Sequence, residues 1–155
     1  MDRFNEEIYG KVLWECYRSK VYIVTLSLMY VLLGAAAVIW AMDKDQFLFY
    51  VLAVVVFFCL WRINRVHHPV ALICERKLLV AVPWSFFTFD YYITFRALYM
   101  PVAYKDVAGV SSRWNHLYIG GREEGGLVSL PVQLAYVSRD GKYDFQNWVE
   151  SKQCE

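Results

Sequence analysis

The stretch that decides the fold is VYIVTLSLMYVLLGAAAVIWA, residues 21–41, followed after MDKDQ by FLFYVLAVVVFFCLW, residues 47–61. Neither apolar run contains a charged side chain. An apolar helix of about 20 residues crosses a ~30 Å hydrocarbon core, and the first run has that length. The second run is shorter, but Gln46 and Arg62 at its ends can snorkel to the interface. The sequence therefore predicts a transmembrane helical hairpin.

Basic side chains flank this hairpin at both of its outer ends. They are Arg3, Lys11, Arg18 and Lys20 before the first run and Arg62, Arg65, Arg76 and Lys77 after the second. The connecting loop holds Lys44 alone. Because Lys and Arg near span ends are retained on the cytoplasmic side, we expect a multi-pass protein of the bacterial inner membrane with both termini in the cytoplasm.

Residues 1–20 carry apolar side chains at a spacing that fits an amphipathic helix. Acidic residues lie early in this segment and basic residues late, which is the favourable sense for the helix dipole. We interpret the segment as a helix lying on the inner leaflet, while packing on the soluble domain or extension of the first span fits the pattern equally. The residues expected at the membrane interface are Trp14, Arg18, Lys20, Trp61, Arg62 and Arg65.

Composition narrows the class of function. Hydrophobic residues make up 58% of the 155 residues, above the roughly 45–50% of soluble domains. The formal net charge of +1 argues against DNA or RNA as the partner, because phosphate binding needs a clearly basic face. The four cysteines form no C-x-x-C pair, so we expect neither a metal site nor a redox motif, and no cofactor.

No residue pattern spells out a reaction, and we expect the protein not to be an enzyme. Glu123 and Glu124 lie in the Gly-rich stretch GGREEGG, where paired carboxylates are solvated rather than held for acid–base catalysis. That stretch also lacks the Lys-Ser/Thr of a phosphate-binding loop. His67 and His68 have no third metal ligand at a matching spacing, so we interpret them as interfacial side chains.

Alternation of apolar and polar side chains with a period of two begins after Pro69. It predicts a first hairpin with Arg76 and Lys77 near its tip. A long aromatic segment over 84–99 follows, which fits one long strand or two strands with a bend. This second half of the chain is therefore predicted to be a β-domain.

The end of the chain adds shorter strands and a helix. Pro131 interrupts an alternating run and indicates an edge position or a break between two short strands. Asp140-Gly141 is a turn signal, and Asp144 is a candidate cap for a final helix. We expect six or seven strands closed by a C-terminal helix.

Three short motifs resemble those of bacterial pleckstrin-homology-like (PH-like) membrane proteins of the YcxB-like kind. Met100–Val107 (MPVAYKDV) resembles the turn before their middle strand, and Val128–Pro131 (VSLP) resembles a later aliphatic-proline element. Phe145–Val149 stands where their closing helix begins.

The resemblance implies an α+β membrane protein, with a two-helix transmembrane hairpin followed by a small antiparallel β-barrel or PH-like domain and a C-terminal helix. The predicted domains are an amphipathic helix over 1–20, the hairpin over 21–62 and a cytoplasmic β-domain over 66–155. The resemblance implies no catalytic residues, since such families share none.

Two groups of side chains are candidates for ligand binding. Arg76 and Lys77 lie where PH-like domains often hold acidic headgroups, and each basic group near an anionic leaflet adds about 1 kcal/mol. A polar hairpin tip with positive-inside anchors explains the same pair and is favoured over specific lipid recognition. The second group could meet a cyclic nucleotide, with aromatic rings on a base and guanidinium groups on phosphate. It comprises Trp84, Trp114, Arg96 and Arg113.

Three hypotheses of function follow. The first is a membrane-anchored, non-catalytic binding module whose cytosolic domain binds a protein partner or a lipid headgroup. The second is an anti-phage membrane effector, because some effectors join a two-helix anchor to a β-barrel that senses a cyclic nucleotide and then oligomerise to disrupt the membrane. The third is a small accessory subunit of a larger membrane complex. The small residues Gly34–Ala37 fit packing within the hairpin or a homo-oligomer contact.

Overall fold

A computed structural model describes residues 4–41, 46–81, 98–120 and 126–154. The chain divides into two compact units. One, the hairpin unit, comprises residues 20–68, and the other, the β unit, comprises residues 1–19 and 69–155. The hairpin is thus an insertion within the β unit, whereas the sequence predicted that it would precede the whole β-domain.

The hairpin unit contains two helices of 22 residues each, α2 (Lys20–Ala41) and α3 (Gln46–His67). Both are long and apolar enough to cross a membrane by length and composition. Only 6% of the residues in the apolar stretch of α2 are buried, and 17% in that of α3. The helix α3 continues past the predicted end of the second run, and Arg65 and His67 in its last turn suit the negative end of the helix dipole.

The two helices pack against each other in antiparallel directions. His67 Nε2 lies 3.4 Å from the Ser27 hydroxyl, and the Arg62 side chain donates to the Tyr30 hydroxyl at 2.8 Å. Gly34 faces Cys59, since a Cβ atom built on this glycine would lie 3.9 Å from the cysteine Cβ. The small residue therefore permits the close helix approach that the sequence predicted for this patch.

The prediction of a helix over residues 1–20 is wrong. Within the described residues 4–19, Glu6–Tyr9 (α1) alone is helical, and Val12–Cys16 forms a strand, β1. Gly10 ends the helix with φ of +78°, a conformation that favours glycine, and a Cβ atom there would lie 2.9 Å from the Glu75 Cβ. The apolar residues of β1 also fit a period of two, and pairing with a neighbouring strand selects that period over the helical one.

The first sheet of the β unit has four antiparallel strands. Its strands are β1, β2 (Ala71–Cys74), β3 (Leu78–Ala81) and β4 (Tyr99–Val102), in that order. Arg76 and Lys77 lie in the turn between β2 and β3, as predicted. The predicted long strand over 84–99 lies outside the described residues except for its last two.

The second sheet has three antiparallel strands, β5 (Val107–Val110), β6 (His116–Gly120) and β7 (Leu127–Pro131), in that order. Pro131 lies on the edge strand β7, which confirms its predicted position. The described strands form two separate sheets and no closed barrel, so the barrel alternative of the fold prediction is corrected for this part of the chain. The architecture is α+β.

The chain ends in a helix, α4 (Arg139–Gln153). Its cap is Ser138, whose hydroxyl accepts from the Gly141 amide at 3.2 Å. The predicted turn at Asp140-Gly141 and the predicted cap at Asp144 are therefore wrong, since all three residues lie inside the helix. Ser138 supplies the cap six residues before Asp144, and Phe145 and Val149 are the buried residues of the helix.

One main core joins the two sheets and α4. Its fully buried side chains include Ile73 and Leu78 from the first sheet, Leu117 from the second and Phe145 from α4. Tyr104, in a 3-10 turn (Tyr104–Asp106) between the sheets, belongs to the same core. Its hydroxyl lies 2.6 Å from the Cys74 carbonyl oxygen, to which it donates, and 3.2 Å from that of Lys77. This side chain therefore ties the β2–β3 turn to the start of the second sheet.

We predict that Tyr104→Phe destabilises the β unit by about 1–3 kcal/mol, because the Cys74 carbonyl would lose its buried donor. Thermal unfolding of the full chain in detergent, followed by near-UV circular dichroism, measures the change. Tyr118→Phe is the matched control, since Tyr118 is 37% exposed. Equal melting temperatures for the two variants would contradict the assigned role of Tyr104.

Candidate functional site

A groove of about 370 Å³ runs between the strand β5 and the helix α4. We call it the β5–α4 groove. Residues 107–112 and Trp114 line one side, and the α4 side chains Phe145, Gln146, Val149, Glu150 and Gln153 line the other. All of these residues belong to the β unit.

The strand side of the groove is a sheet edge. Among the described strands, β5 is hydrogen-bonded to β6 alone. The Ser111 amide donates to the His116 carbonyl of β6 at 2.9 Å, and Val110 lies opposite Leu117. Because backbone groups of an antiparallel strand point alternately to its two sides, the N–H and C=O of Val110 point away from β6. They face the groove side of the sheet.

One end of this edge is closed by α4 itself. The Gln153 side-chain amide donates to the Val107 carbonyl at 2.7 Å and to the Tyr104 carbonyl at 3.0 Å. The open part of the edge therefore begins after Val107.

A β-bulge interrupts the pairing of β5 with β6 between Val107 and Gly109. Gly109 has φ of +153°, which is strained for a residue with a side chain, and no atom lies within 4 Å of a Cβ built on it. Glycine is needed here for the backbone conformation and not for lack of space. The bulge bends the strand where the groove is open.

The helix side of the groove has an apolar floor and a polar rim. Phe145 and Val149 are 1% and 6% exposed and form the floor. On the exposed rim, the Gln146 side-chain amide donates to Glu150 Oε1 at 2.9 Å. An apolar floor beside hydrogen-bonding groups is the usual make-up of a recognition site, since the floor supplies burial and the polar groups fix orientation.

A tight turn carries Trp114 to one end of the groove. The Ser111 hydroxyl accepts from the backbone amides of Asn115 and His116 at 3.2 and 3.1 Å. Trp114 itself has φ of +58°, an uncommon value for a large side chain. The Ser111 contacts therefore hold the indole against the core edge, where it borders both the groove and a second hollow.

The second hollow, of about 330 Å³, is lined by Trp114, Arg139, Lys142 and Tyr143, which we call the cation–aromatic cluster. The Lys142 ammonium lies 5.7 Å from the Trp114 ring centre and donates to the Ala135 carbonyl at 3.0 Å. The Arg139 guanidinium lies 5.8 Å from the Tyr143 ring centre. Two cations and two aromatic rings thus share one concave surface, with Trp114 from the turn before β6 and the other three side chains from the first turns of α4.

The structure brings together only part of the predicted ligand-binding set. Trp114 lines the groove, and the exposed Arg113 precedes it in the chain. Arg76 and Lys77 are exposed and do not line the groove, while the Arg76 guanidinium donates to the Glu7 carbonyl at 3.2 Å. Trp84 and Arg96 lie outside the described residues.

The sequence did not single out Arg139, Lys142 and Tyr143. Their spacing of three and four residues places them on one helix face. Because Asp140-Gly141 was interpreted as a turn, these three residues fell outside the predicted final helix.

The predicted interface residues have mixed placements. Trp14 lies in β1 and packs partly buried against the main core, because the segment is a strand and not an interfacial helix. The Arg18 guanidinium donates to the Gln133 side-chain oxygen. Lys20 begins α2 and is exposed. At the end of α3, the Arg65 guanidinium lies 5.4 Å from the Trp61 ring centre, and Arg62 bonds to α2 as described above.

The cysteine thiols of the β-unit core are held protonated. Burial raises the pKa of Cys16 to about 12 and that of Cys74 to about 11. The hydrogen bond from the Tyr17 hydroxyl to Glu15, at 2.5 Å, raises the pKa of Tyr17 to about 12. A thiol is nucleophilic as the thiolate, so neither core cysteine is poised for covalent chemistry. Within the described ranges, no three His, Cys, Asp or Glu side chains are grouped to hold a metal ion.

Comparison of the chain with protein-family models, with curated proteins and with solved structures finds no match. The resemblance to bacterial PH-like membrane proteins stays a prediction.

We predict that iodoacetamide at pH 8 alkylates Cys154 and leaves Cys16 and Cys74 unmodified. Cys154 is exposed, whereas the other two thiols are buried and their pKa values lie well above the pH of the reaction. Peptide mass spectrometry of the full chain in detergent measures the labelling, with a urea-unfolded sample as the control in which all three react. Labelling of Cys16 as fast as Cys154 in the native protein would contradict the packing of the core.

Proposed function

We propose that the protein is a membrane-anchored, non-catalytic binding module that recruits a protein partner. In this proposal α2 and α3 anchor the chain in the bilayer, and the β unit binds the partner in the cytoplasm through the β5–α4 groove. The observation that carries the proposal is the groove, in which an apolar floor lies beside a strand edge whose backbone groups are not used by β6.

The exposed surface of the hairpin unit supports the anchor. Val21, Ile39 and Tyr50 are 77%, 70% and 76% exposed, and much of the rest of both helices is equally open. Apolar surface of this extent is unfavourable in water at about 25 cal/mol per Å², and it suits hydrocarbon. Basic residues at the outer ends of the hairpin favour an arrangement with the β unit on the cytoplasmic side.

The PH-like resemblance of the β unit belongs to this proposal. The described part of the chain holds an antiparallel sheet of four strands, an antiparallel sheet of three strands and a C-terminal helix, and the sequence predicted six or seven strands closed by such a helix. The hairpin departs from the expected arrangement, because it is inserted after β1.

A protein partner is favoured over a lipid headgroup at the β2–β3 turn. One acidic side chain lies beside the basic pair there, since Glu75 precedes Arg76 in sequence, and its carboxylate accepts from the Lys11 backbone amide at 3.2 Å. The Arg76 guanidinium donates to the Glu7 backbone carbonyl. The neighbouring carboxylate weakens the local attraction for an anionic headgroup.

A photo-crosslinker at Ser112, on the exposed rim of the groove, is expected to trap one discrete protein in membranes of the native host. The same crosslinker at the exposed Tyr118, which does not line the groove, is expected not to trap it. Ala108→Trp fills the groove and should abolish the adduct, whereas Val128→Trp on β7 should preserve it. Mass spectrometry identifies the adduct, and thermal melting verifies folding of each variant.

Two results would contradict the proposal. One is release of the chain from membranes by alkaline carbonate, because a chain anchored by α2 and α3 would stay in the membrane. The other is an adduct from Ser112 that persists with Ala108→Trp, which would place the partner outside the groove.

The cation–aromatic cluster favours a second candidate function, the sensing of an anionic ligand with a flat ring, such as a cyclic nucleotide. Neither Arg139 nor Lys142 forms an ion pair with a carboxylate among the described residues. Aromatic rings offer stacking surface and the cations offer phosphate contacts. Trp114 belongs both to this cluster and to the group of residues that the sequence suggested for nucleotide binding.

The second function predicts that a cyclic di- or trinucleotide raises the melting temperature of the full chain in detergent. At a ligand concentration about a hundredfold above Kd, the stabilisation is about 2.7 kcal/mol. Lys142→Gln should weaken binding about tenfold, and Lys105→Gln on the exposed 3-10 turn should leave it unchanged. A panel of such nucleotides that leaves the melting temperature unchanged would exclude this candidate and leave the protein-binding module.

A further inference from the structure

We propose that the β5–α4 groove binds its partner by β-strand addition, so that an extended segment of the partner protein pairs with the open edge of β5. This inference rests on the proposed function and adds the conformation and chemistry of the bound segment. It follows from the backbone of β5, the floor of the groove and the charge on its rim.

The backbone of β5 sets the conformation of the ligand. The N–H and C=O of Val110 point away from β6, and an unpaired strand edge is a template for one more strand. At Val107 the carbonyl already accepts from Gln153, which blocks pairing at that end. Among the described residues, the open stretch therefore runs from Ala108 towards Ser112, long enough for a short segment of three to five residues.

The bulge at Gly109 limits what can pair there. A bulge twists and bends its strand, which disfavours long, flat pairing between sheet edges. Two copies of β5 would bring two such bends together, whereas a single extended segment can follow one. This favours a short partner segment over a second copy of the chain.

The floor of the groove sets the side chains of the ligand. In an added strand, side chains alternate between the two faces, so every second one points towards the floor. Phe145, Val149 and the partly buried Trp114 form an apolar surface below the edge. The segment should therefore carry apolar side chains at alternate positions.

Charge sets its orientation. Glu150 is the one charged side chain that lines the groove in the described part of the chain, and it is exposed. At the other end, Lys142 lies over Trp114. A basic side chain of the ligand is thus attracted to the Glu150 end and repelled from the Trp114 end. The partner of this groove is an extended, alternately apolar segment with a Lys or Arg near Glu150.

The test uses the full chain in lipid nanodiscs and a phage library of random decapeptides, with the Ala108→Trp variant for counter-selection. We expect selected peptides to alternate apolar side chains and to carry a basic residue. In a synthetic copy of one selected peptide, N-methylation at every second residue should weaken binding at least tenfold, because those amides pair with β5. N-methylation at the intervening residues should change binding less than threefold.

Two further readouts are tied to named residues. Hydrogen exchange of the Val110 amide, followed by nuclear magnetic resonance, should slow at least tenfold in the complex. Glu150→Lys should weaken a basic peptide about tenfold, and Glu6→Lys, which makes the same charge change in α1, should not.

The outcomes separate this inference from the proposed function. If no peptide of the library survives counter-selection, both strand addition and the protein-binding module are overturned, because the groove would then bind no protein segment. Strand addition would be overturned by peptides that bind the groove but whose affinity does not depend on which alternate residues are N-methylated. Peptides that bind without slowing hydrogen exchange of the Val110 amide would overturn it too. Either result would still agree with a protein-binding module. Protection of Val110 in a dimer without peptide would overturn it in favour of self-association.

Discussion

The pairing of β1 with β2 is the constraint on which the rest of the structure depends. These strands lie on either side of the hairpin in sequence, yet Glu15 pairs with Leu72 and the Val70 amide donates to the Cys16 carbonyl at 2.6 Å. The Val70 carbonyl in turn accepts from the Ala81 amide at 2.8 Å. Both ends of the helical hairpin therefore start from neighbouring positions of one sheet, and such ends require helices that run in opposite directions.

This arrangement makes a long insertion compatible with a small domain. The segment between β1 and β2 contains the two helices α2 and α3, which contact each other. Closing this segment therefore costs less entropy than closing a flexible loop of equal length. The β unit keeps its own core, in which Ile73, Leu117 and Phe145 come from three different elements. An apolar helical hairpin and a folded domain can in this way share one short chain, with the main core made within the β unit.

One edge of the second sheet, at β5, is not paired with another of the described strands. The second sheet ends at β5, and α4 packs beside it instead of another strand. The helix satisfies only the Val107 end of that edge through Gln153. A domain with a closed barrel would have no such edge, and the proposed binding of another chain therefore depends on the division of the described strands into two sheets.

The sequence by itself determined the elements whose signals are local. The charge-free apolar runs predict the hairpin, the spacing around Arg76 predicts the first turn, and Pro131 predicts an edge strand. Only the tertiary structure decided the state of residues 12–16, since their apolar positions fit both helix and strand until β2 provides a partner. It also decided the groove and the cation–aromatic cluster, because Val110, Trp114 and Val149 belong to separate elements. Long-range packing brings such residues together, and no local period in a sequence records that packing.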